Sequence, residues 1–383
     1  MAPMAYLDHA ASTPMRPEAV AALLPFLTER YANPSGGHAL ARDARRAIDE
    51  ARDDVARCLG ADAGEVVFCG DGTEADNMAV FGVVRRAGRA GQNAIAVCSA
   101  IEHHAVLHPV EHSGGRVVGV DRHGRIDLDR LADALDGSVK LVSVMAVNNE
   151  VGSVQPLAEV AALVRERAPE ALLHTDAIQA HQWLDTAEVC RPFDLASISG
   201  HKFGGPKGAG VLLVRKGVTL EPLVLGGGQE RDRRSGTQNV GGIAALATAM
   251  VSTAESREVE VKRLGALRDD LVDGLAEAID GLVETVPRDY KVAGNAHVCI
   301  EGVESEAVLY LLEKGGVLAS AGSSCSSGAI SMSHVLTAMG VPAPVGMGAV
   351  RLTFGWASTA ADVERALEVL PAAVAQLRRK RSP

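Results

Sequence analysis

Hydrophobic positions along the chain alternate between short continuous runs and longer segments with helical spacing. Residues 39–59, ALARDARRAIDEARDDVARCL, carry alanine, isoleucine, valine and leucine at helical intervals between charged residues, which predicts an amphipathic helix. The run EVVFCG then predicts a short buried strand, and DGTEADNMAVFGVVRRAG predicts a turn that leads into another helix.

The same alternation of strand and helix continues as far as residue 216. The strand-like runs are AIAVCSA, GRVVGV, VKLVSVMAV, ALLHTDA, LASIS and GVLLVRK, and the helical segments among them are EHHAVLHPVEHSG, DLDRLADALDG and PLAEVAALVRERA. Strands that alternate with helices indicate an α/β fold with a mostly parallel central sheet and helices on both faces. Because the strands are short and apolar, we expect both faces of the sheet to be buried.

The pattern changes at Val240. A long alanine-rich helical segment begins there, and we expect it to bridge two domains because a mixture of strands and helices follows it. These later elements are HVCIEGV, SEAVLYLLEKGG, VLASAGS, GAVRLTFG and AADVERALEVLPAAVAQLRR. They predict a smaller α+β domain, and the pattern alone does not decide whether the N-terminal residues join it.

Length and charge narrow the functional classes. The chain has 383 residues, 47% of them apolar, which suits a globular protein of two domains or one large one. A formal net charge of −10 argues against direct binding to nucleic acid or to anionic membranes. Neither a signal peptide nor a membrane span is recognisable, so we expect a cytoplasmic location.

The six cysteines are scattered, and no two have the CxxC spacing of a metal site, so no metal is expected. Five of them lie mostly in apolar runs and are expected to be buried, reduced thiols: Cys58, Cys69, Cys98, Cys190 and Cys299. Cys325 differs because it lies in the Gly/Ser-rich run ASAGSSCSSGA, which predicts a flexible, accessible segment. It is either an inert loop cysteine or, if its thiolate is stabilised, a nucleophile.

Polar residues follow successive strands, where open parallel sheets bind ligands. Gly72 and Thr73 begin a helix after VVFC, which favours phosphate binding, although Thr73 as a simple helix cap is the alternative. His103 and His104 follow the next strand, and a histidine there either stacks on a ring and relays protons or is structural. Asn149 belongs to a pair of amides that is either aimed at one place or part of an ordinary loop.

The later strand ends carry charged residues. Asp176 ends a buried strand, with Gln179 nearby, and a buried carboxylate needs a cation or several donors. Lys202 lies between a histidine and a glycine-rich run, which is typical of a lysine that binds a carbonyl cofactor covalently. Thr237, in RRSGTQN, can grip an oxyanion, and Arg351 on an apolar strand pairs either with an internal carboxylate or with a substrate carboxylate.

Taken together, five successive strand ends offer a phosphate grip, an aromatic ring, amides, a carboxylate and a lysine. Pyridoxal 5'-phosphate needs this set, because it presents a phosphate, a ring face, a pyridine nitrogen and an aldehyde.

These residues resemble the cysteine desulfurases of the NifS/IscS-like group, within the class V aminotransferase family. The resemblance runs almost end to end, through YLDHAASTPMRPE, YANPSGGHALARDARRAIDEAR, GTEADN, EHHAVL, VNNEVGSVQP, HTDAIQA, SGHKFGGPKGAG, RRSGTQN, SAGSSCSSG and VRLTFG. It implies the PLP-dependent transferase fold type I. It also implies a large PLP-binding domain over residues 16–254 and a small domain, made of residues 1–15 and 255–383, that carries the mobile Cys325 segment.

The resemblance assigns a role to each candidate residue around the cofactor ring. It implies that Lys202 holds the cofactor covalently and that His103 stacks on the ring and shuttles protons. It implies that Asp176 pairs with the ring nitrogen and Gln179 with the ring hydroxyl. Asn149 is implied to lie near both the ring and the substrate.

The remaining assignments concern the phosphate, the substrate and the sulfur. The residues implied to grip the phosphate are Gly72, Thr73, Ser199 and His201. Thr237 is implied to reach the phosphate of the partner subunit, so a homodimer is expected. Arg351 is implied to bind the substrate carboxylate, and Cys325 to accept the sulfur.

The function that follows is removal of sulfur from L-cysteine, giving L-alanine and a persulfide on Cys325 for a protein acceptor such as a scaffold or sulfur carrier. The receiving pathway stays open among iron–sulfur clusters, thiolated tRNA, sulfur-modified DNA and thio-cofactors. One alternative is a selenocysteine lyase or another class V aminotransferase-type enzyme. The other is a non-catalytic dimeric platform for sulfur transfer.

Overall fold

A computed structural model describes residues 4–321 and 332–381, so Cys325 lies outside the described residues. The strands are β1 Ala5–Tyr6, β2 Val66–Cys69, β3 Ile95–Ser99, β4 Arg116–Val118, β5 Val139–Ser143, β6 Leu172–Asp176, β7 Leu195–Ser199, β8 Gly210–Val214, β9 Leu282–Glu284, β10 Asn295–Ile300, β11 Val317–Leu318 and β12 Ala349–Thr353. The helices are α1 Pro17–Leu23, α2 Pro25–Thr28, α3 Ala39–Leu59, α4 Gly72–Arg89, α5 His104–His112, α6 Leu128–Ala134, α7 Leu157–Arg167, α8 Thr186–Cys190, α9 Val240–Ala278, α10 Ser305–Lys314, α11 His334–Ala338, α12 Ala343–Gly346 and α13 Ala360–Arg381.

Seven strands form the central sheet in the order β2-β8-β7-β6-β5-β3-β4. Strand β8 runs antiparallel to both of its neighbours, and the other pairings are parallel, which confirms the predicted fold class. Strands β7 and β8 are buried along their whole length, as their apolar runs predict. The edge strand β4 departs from this expectation, with Val117 43% exposed.

Helix α9 is 39 residues long and joins two packed regions. Its first part packs Ile243, Leu246 and Met250 against the helices and strands of the large sheet. Its second part contributes Leu264 and Leu271 to a separate core formed with β10, β12 and α13. The predicted boundary at residue 254 lies within this unbroken helix, so the division into domains stays a prediction.

The second region contains two small sheets, the antiparallel β12-β10-β9 and the parallel pair β1-β11. Strand β1 brings the N-terminal segment to this region, and Leu7 is part of its core. The segment then runs on to the central sheet, where it forms one wall of the cavity described below. None of the helices that the structure describes is both long and apolar enough to cross a membrane.

The cysteines within the described residues are all free thiols. Four are buried as predicted: Cys69, Cys98, Cys190 and Cys299. Cys58, near the end of α3, is only half-buried.

Candidate active site

A cavity of about 340 Å³ lies at the carboxyl-terminal edge of the central sheet. Strands β2, β3, β5, β6 and β7 run in the same direction, so the loops that follow them meet at this edge. Strand β3 has β4 on one side and β5 on the other, and such a reversal of strand order is where open α/β sheets bind ligands. The cavity is lined by ten of the predicted site residues: Gly72, Thr73, His103, Asn149, Asp176, Gln179, Ser199, His201, Lys202 and Arg351.

Lys202 ends a single turn of 3-10 helix that directly follows β7. Its Nζ donates hydrogen bonds to the backbone carbonyls of Ala10 at 2.8 Å and Ala11 at 2.9 Å. Gln179 Nε2 also donates to the Ala10 carbonyl, at 2.8 Å. The N-terminal segment therefore fixes both the amine and the amide at one wall of the cavity.

Asp176 is the last residue of β6 and is buried at the cavity wall. One of its carboxyl oxygens accepts a hydrogen bond from the backbone N–H of Ile178 at 2.9 Å. Burial raises the pKa of Asp176 to about 6, against the opposing effects of that N–H and of the Lys202 ammonium. A carboxylate destabilised by burial is suited to pair with a cationic group of a ligand.

A buried polar network lies behind Asp176. His174, two residues earlier on β6, contacts the Ser143 hydroxyl through Nδ1 at 2.8 Å and the Ser197 hydroxyl through Nε2 at 3.0 Å. Its Nε2 also lies 3.7 Å from the carboxyl of Asp76. Burial lowers the pKa of His174 to about 3 and raises that of Asp76, so both groups favour their neutral forms. Of the two neighbouring carboxyls, Asp76 and Asp176, it is therefore Asp176 that ionises more readily.

The two adjacent histidines have different surroundings. His103 caps α5, and its Nδ1 accepts a hydrogen bond from the Ala105 N–H at 3.1 Å. Since Nδ1 is the acceptor, Nε2 carries the proton of the neutral ring. Burial, together with the nearby Lys202 ammonium, lowers the pKa of His103 to about 4. His104 instead belongs to a group of rings, with its centroid 4.6 Å from that of His108.

The first turn of α4 forms another part of the cavity wall. Asp71 caps this helix, and its Oδ1 accepts a hydrogen bond from the Glu74 N–H at 2.8 Å. The interpretation of Thr73 as the cap is therefore wrong, and Thr73 lines the cavity instead. Ser199, at the end of β7, lies on the same cavity, and its buried hydroxyl has no hydrogen-bond partner among the described residues.

The two amides that follow β5 have different roles: Asn148 is part of the loop structure, and Asn149 lies at the cavity. Asn148 holds the loop together, because its Nδ2 donates to the Ile101 carbonyl at 3.0 Å and its Oδ1 accepts from the N–H groups of Glu150 and Val151, both at 2.9 Å. Asn149 lines the cavity. The turn made by the first amide thus positions the second.

Arg351 reaches the cavity from β12, in the second region, and is 2% exposed. Its Nη1 donates to the backbone carbonyl of Asn149 at 2.8 Å, and its Nη2 pairs with Asp8 Oδ1 at 2.8 Å. Its Nε has no hydrogen-bond partner among the described residues. Arg351 therefore makes the predicted internal ion pair and also lines the cavity, and its binding of a substrate carboxylate stays a prediction.

The other two predicted site residues are Cys325 and Thr237. Cys325 lies outside the described residues. Thr237 is exposed and lines a separate cavity of about 260 Å³ beside α1 and α2. Its assignment to the phosphate of a partner subunit stays a prediction.

Several cavity residues were missed by reasoning from the sequence. Glu150 and His334 both line the cavity, as do Ala10 and Ala11, whose carbonyls accept from Lys202. Glu150 carries a local signal, since it is an acidic residue between apolar strands and directly after the amide pair. His334 carries none, because only the packing of α11 brings it to the cavity.

Comparisons with known proteins identify the family of the chain. The family described as aminotransferase class-V matches residues 5–366. The cysteine desulfurase IscS of Methanosarcina thermophila is 42% identical over 381 residues, covering 97% of this chain and 92% of that protein. An IscS-like cysteine desulfurase of Mycobacterium tuberculosis is 44% identical over 387 residues, covering 98% of each.

Solved structures show the same likeness. A NifS-like protein has a TM-score of 0.91 at 32% identity and covers 97% of this chain and 100% of its own. The crystal structure of DndA from Streptomyces lividans has a TM-score of 0.75 at 33% identity and covers 91% of this chain and 99% of its own. These matches confirm both the predicted resemblance and the predicted fold type. The chain belongs to the class V aminotransferase family and, within it, to the cysteine desulfurases.

Proposed function

We propose that this chain binds pyridoxal 5'-phosphate through Lys202 and removes sulfur from L-cysteine, giving L-alanine and a persulfide on Cys325. The observation that carries the proposal is the convergence of Lys202, Asp176 and Arg351 on one cavity of about 340 Å³. An amine, a buried carboxylate and a guanidinium are the groups needed to bind an aldehyde, a ring nitrogen and an amino-acid carboxylate. Cysteine desulfurases are PLP-dependent, and family membership supports the same cofactor here.

The residues present fit the cofactor at its phosphate end. The Ser199 hydroxyl is buried without a partner among the described residues, and a phosphate oxygen supplies an acceptor for it. Gly72 begins α4, and a Cβ at this position would collide with the side chain of Ile178 and lie 3.2 Å from Ser199 Cβ. The packing of Ile178 and Ser199 against this position therefore requires a glycine at the helix start, where backbone N–H groups favour an anion.

The fit at the ring end rests on charge. When bound, the cofactor supplies an electron sink for negative charge on the substrate α-carbon. Asp176 keeps a proton on the ring nitrogen because an ion pair there offsets the cost of burying its carboxylate. Lys202 takes the α-proton and later returns it, and Arg351 orients the substrate through its carboxylate. His103 presents Nε2 for a second proton transfer, because its Nδ1 is engaged at the start of α5.

Sulfur transfer needs a second nucleophile. The Cys325 thiolate attacks the substrate sulfur, and the carbon–sulfur bond breaks with its electron pair staying on the carbon fragment. Cys325 loses one proton when it becomes a thiolate, and the carbon fragment takes up one proton to become L-alanine, so the protons balance. The persulfide on Cys325 then passes to a protein acceptor, which is a scaffold or a sulfur carrier.

Thr237 supports a homodimeric assembly in this proposal. It is exposed and does not line the active-site cavity of its own chain, so it is available to the cofactor phosphate of a second subunit. The exposed apolar side chains of Leu24, Leu27 and Leu225 are further surface for such a contact, at 53%, 63% and 80% exposed.

The test is a desulfurase assay on the purified, cofactor-loaded protein. We expect L-cysteine to yield equal amounts of L-alanine and protein-bound sulfur, with mass spectrometry locating the added sulfur on Cys325. Cys325→Ser is expected to bind L-cysteine and to accumulate no persulfide. Full turnover of L-cysteine by Cys325→Ala, or an added sulfur on another cysteine, would favour a selenocysteine lyase or another aminotransferase-type reaction. Absence of turnover in the loaded wild type would favour the non-catalytic platform.

A further inference from the structure

Glu150 is a carboxyl in the wall of the active-site cavity that the mechanism above does not use. It is 2% exposed, and its Oε1 has no hydrogen-bond partner within the described part of the chain. Its carboxyl hydrogen-bonds the hydroxyl of Ser333, whose Oγ also accepts from the Val335 N–H at 3.0 Å at the start of α11. Arg351 lines the same cavity, so Glu150 borders the place where the substrate carboxylate is proposed to bind.

The surroundings of Glu150 favour the protonated carboxyl. Burial raises its pKa to about 7, against the hydrogen bond from Ser333 and the positive charge of Arg351. Cys299 on β10 is a buried thiol whose own raised pKa disfavours a charge there. Asn295 on the same strand donates to the backbone carbonyl of Glu150 at 3.0 Å and so does not stabilise the carboxylate.

Arg351 cannot neutralise both Glu150 and an incoming substrate. Its charge is already shared with Asp8, which accepts from Nη2 at 2.8 Å. A substrate carboxylate beside an ionised Glu150 would place two further negative charges around one buried guanidinium. Like charges at short range disfavour each other strongly when they are buried.

Building on the proposed function, we propose that Glu150 is a positioning residue that must be protonated when the substrate carboxylate binds beside Arg351. Binding then takes up one proton from solvent whenever Glu150 is ionised in the free enzyme. The protonated carboxyl also supplies a hydrogen-bond donor next to the bound carboxylate, which an ionised carboxyl lacks.

Binding of the substrate carboxylate is expected to weaken as the pH rises. Below about pH 7 Glu150 is already protonated, and binding needs no further proton. Above that pH Glu150 is ionised in the free enzyme and must take up a proton before the substrate carboxylate binds. The dissociation constant of the substrate therefore rises roughly tenfold for each pH unit. Glu150→Gln carries an uncharged amide donor at all pH values, so the variant lacks this pH dependence of the dissociation constant.

The experiment titrates L-alanine, the proposed product, into the cofactor-loaded wild type and the loaded Glu150→Gln variant by calorimetry. Measurements at pH 6 and pH 8 in two buffers of different ionisation enthalpy give the number of protons taken up. At pH 8 we expect the wild type to take up about 0.9 proton more than Glu150→Gln, and at pH 6 only about 0.1, from a carboxyl with a pKa near 7. Proton transfers common to both proteins cancel in this difference.

Glu102 provides the matched control, because it is equally buried but does not line the cavity, and its Oε1 accepts from the Met145 N–H at 2.8 Å. Glu102→Gln is expected to keep the wild-type proton uptake. If Glu150→Gln does not fold, Glu150→Ala, which also lacks the carboxyl, must lose the same proton. Equal uptake by wild type and both Glu150 variants, in protein that still converts L-cysteine to L-alanine, would overturn the role of Glu150 alone. Wild type that does not convert L-cysteine would overturn the proposed function instead.

Discussion

Two sets of buried polar and charged groups in this molecule differ in how completely their hydrogen bonds are made. Arg52 on α3 donates to Glu230 Oε2 at 2.7 Å and Oε1 at 2.8 Å, and also to the Val66 carbonyl at 2.8 Å. Glu230 accepts in addition from the Phe68 N–H at 3.0 Å and from Gln238. Around the active-site cavity, by contrast, Ser199 Oγ, Glu150 Oε1 and Arg351 Nε have no partner among the described residues.

The difference separates a buried ion pair that is complete without a ligand from cavity groups that each keep a polar atom for one. Although burial opposes it, the Arg52 guanidinium holds the pKa of Glu230 below its usual range, so this pair is complete without a ligand. It also fixes a turn in which three consecutive residues without a glycine, Glu230, Arg231 and Asp232, have φ values of 49°, 58° and 62°. Each of the three cavity groups keeps one polar atom without a partner among the described residues, although Arg351 also pairs with Asp8, and a ligand that supplies the missing partner gains specificity.

Lys202→Ala tests the cavity side of this comparison and has the largest expected effect. Loss of the proposed covalent attachment and of the base is expected to lower L-alanine formation at least about 1,000-fold. Far-UV circular dichroism is expected to show an unchanged fold, because the lost hydrogen bonds to Ala10 and Ala11 go to loop carbonyls outside the helices and strands. Near-normal turnover in this variant would refute the role of Lys202.

Arg52→Met tests the structural side. It leaves Glu230 as a buried, unpaired carboxylate, and we expect the free energy of unfolding to fall by about 3–5 kcal/mol. Urea denaturation measures this change. Arg57→Met on the same helix is the control, because the Arg57–Asp54 pair is exposed and its loss is expected to leave the midpoint unchanged. Equal effects of the two substitutions would contradict the structural role of the buried pair.

Gly72→Ala and Gly88→Ala compare the two ends of α4. A Cβ at position 72 collides with Ile178 in the cavity wall, whereas a Cβ at position 88 meets nothing within 4 Å. We expect Gly72→Ala to weaken cofactor binding about tenfold or more, measured by spectrophotometric titration of the cofactor-free protein. Gly88→Ala is expected to bind normally and to stabilise the helix by about 0.5–1 kcal/mol. Unchanged cofactor affinity in Gly72→Ala would show that this helix start is not part of the binding site.

Asp176→Asn tests the cavity side of the comparison through the pH dependence of folding stability. In the cofactor-free protein the folded-state pKa of Asp176 is raised to about 6, so the wild type loses stability as pH rises from about 4 towards 6. The variant carries no such charge and is expected to become more stable than the wild type by about 1–3 kcal/mol at pH 7, with little difference at pH 4. Thermal denaturation at both pH values measures this difference, and a less stable variant at pH 7 would contradict the assignment of a destabilised carboxylate.

The sequence predicted the elements of the central sheet because their apolar runs are short and their boundaries carry turn residues. The apolar run of β8 predicted a strand, but its antiparallel direction depends on its pairing with β2. The local sequence pattern does not encode that pairing. The site was predictable in so far as its residues directly follow strands, as Asp176 and Lys202 do. Arg351 and His334 reach the cavity from the second region of the chain, so their placement depends on tertiary packing. The contrast between Asn148 and Asn149 likewise required the hydrogen bonds of the folded loop.

The central claim is that the amine of Lys202 carries the cofactor, and chemical trapping tests it most directly. Protein loaded with pyridoxal 5'-phosphate is reduced with borohydride, digested and analysed by mass spectrometry. The account predicts one phosphopyridoxyl group per chain, on the peptide that contains Lys202 within SISGHKFGGPKGAG. A stable label on another lysine, or no label on a folded chain, would contradict it.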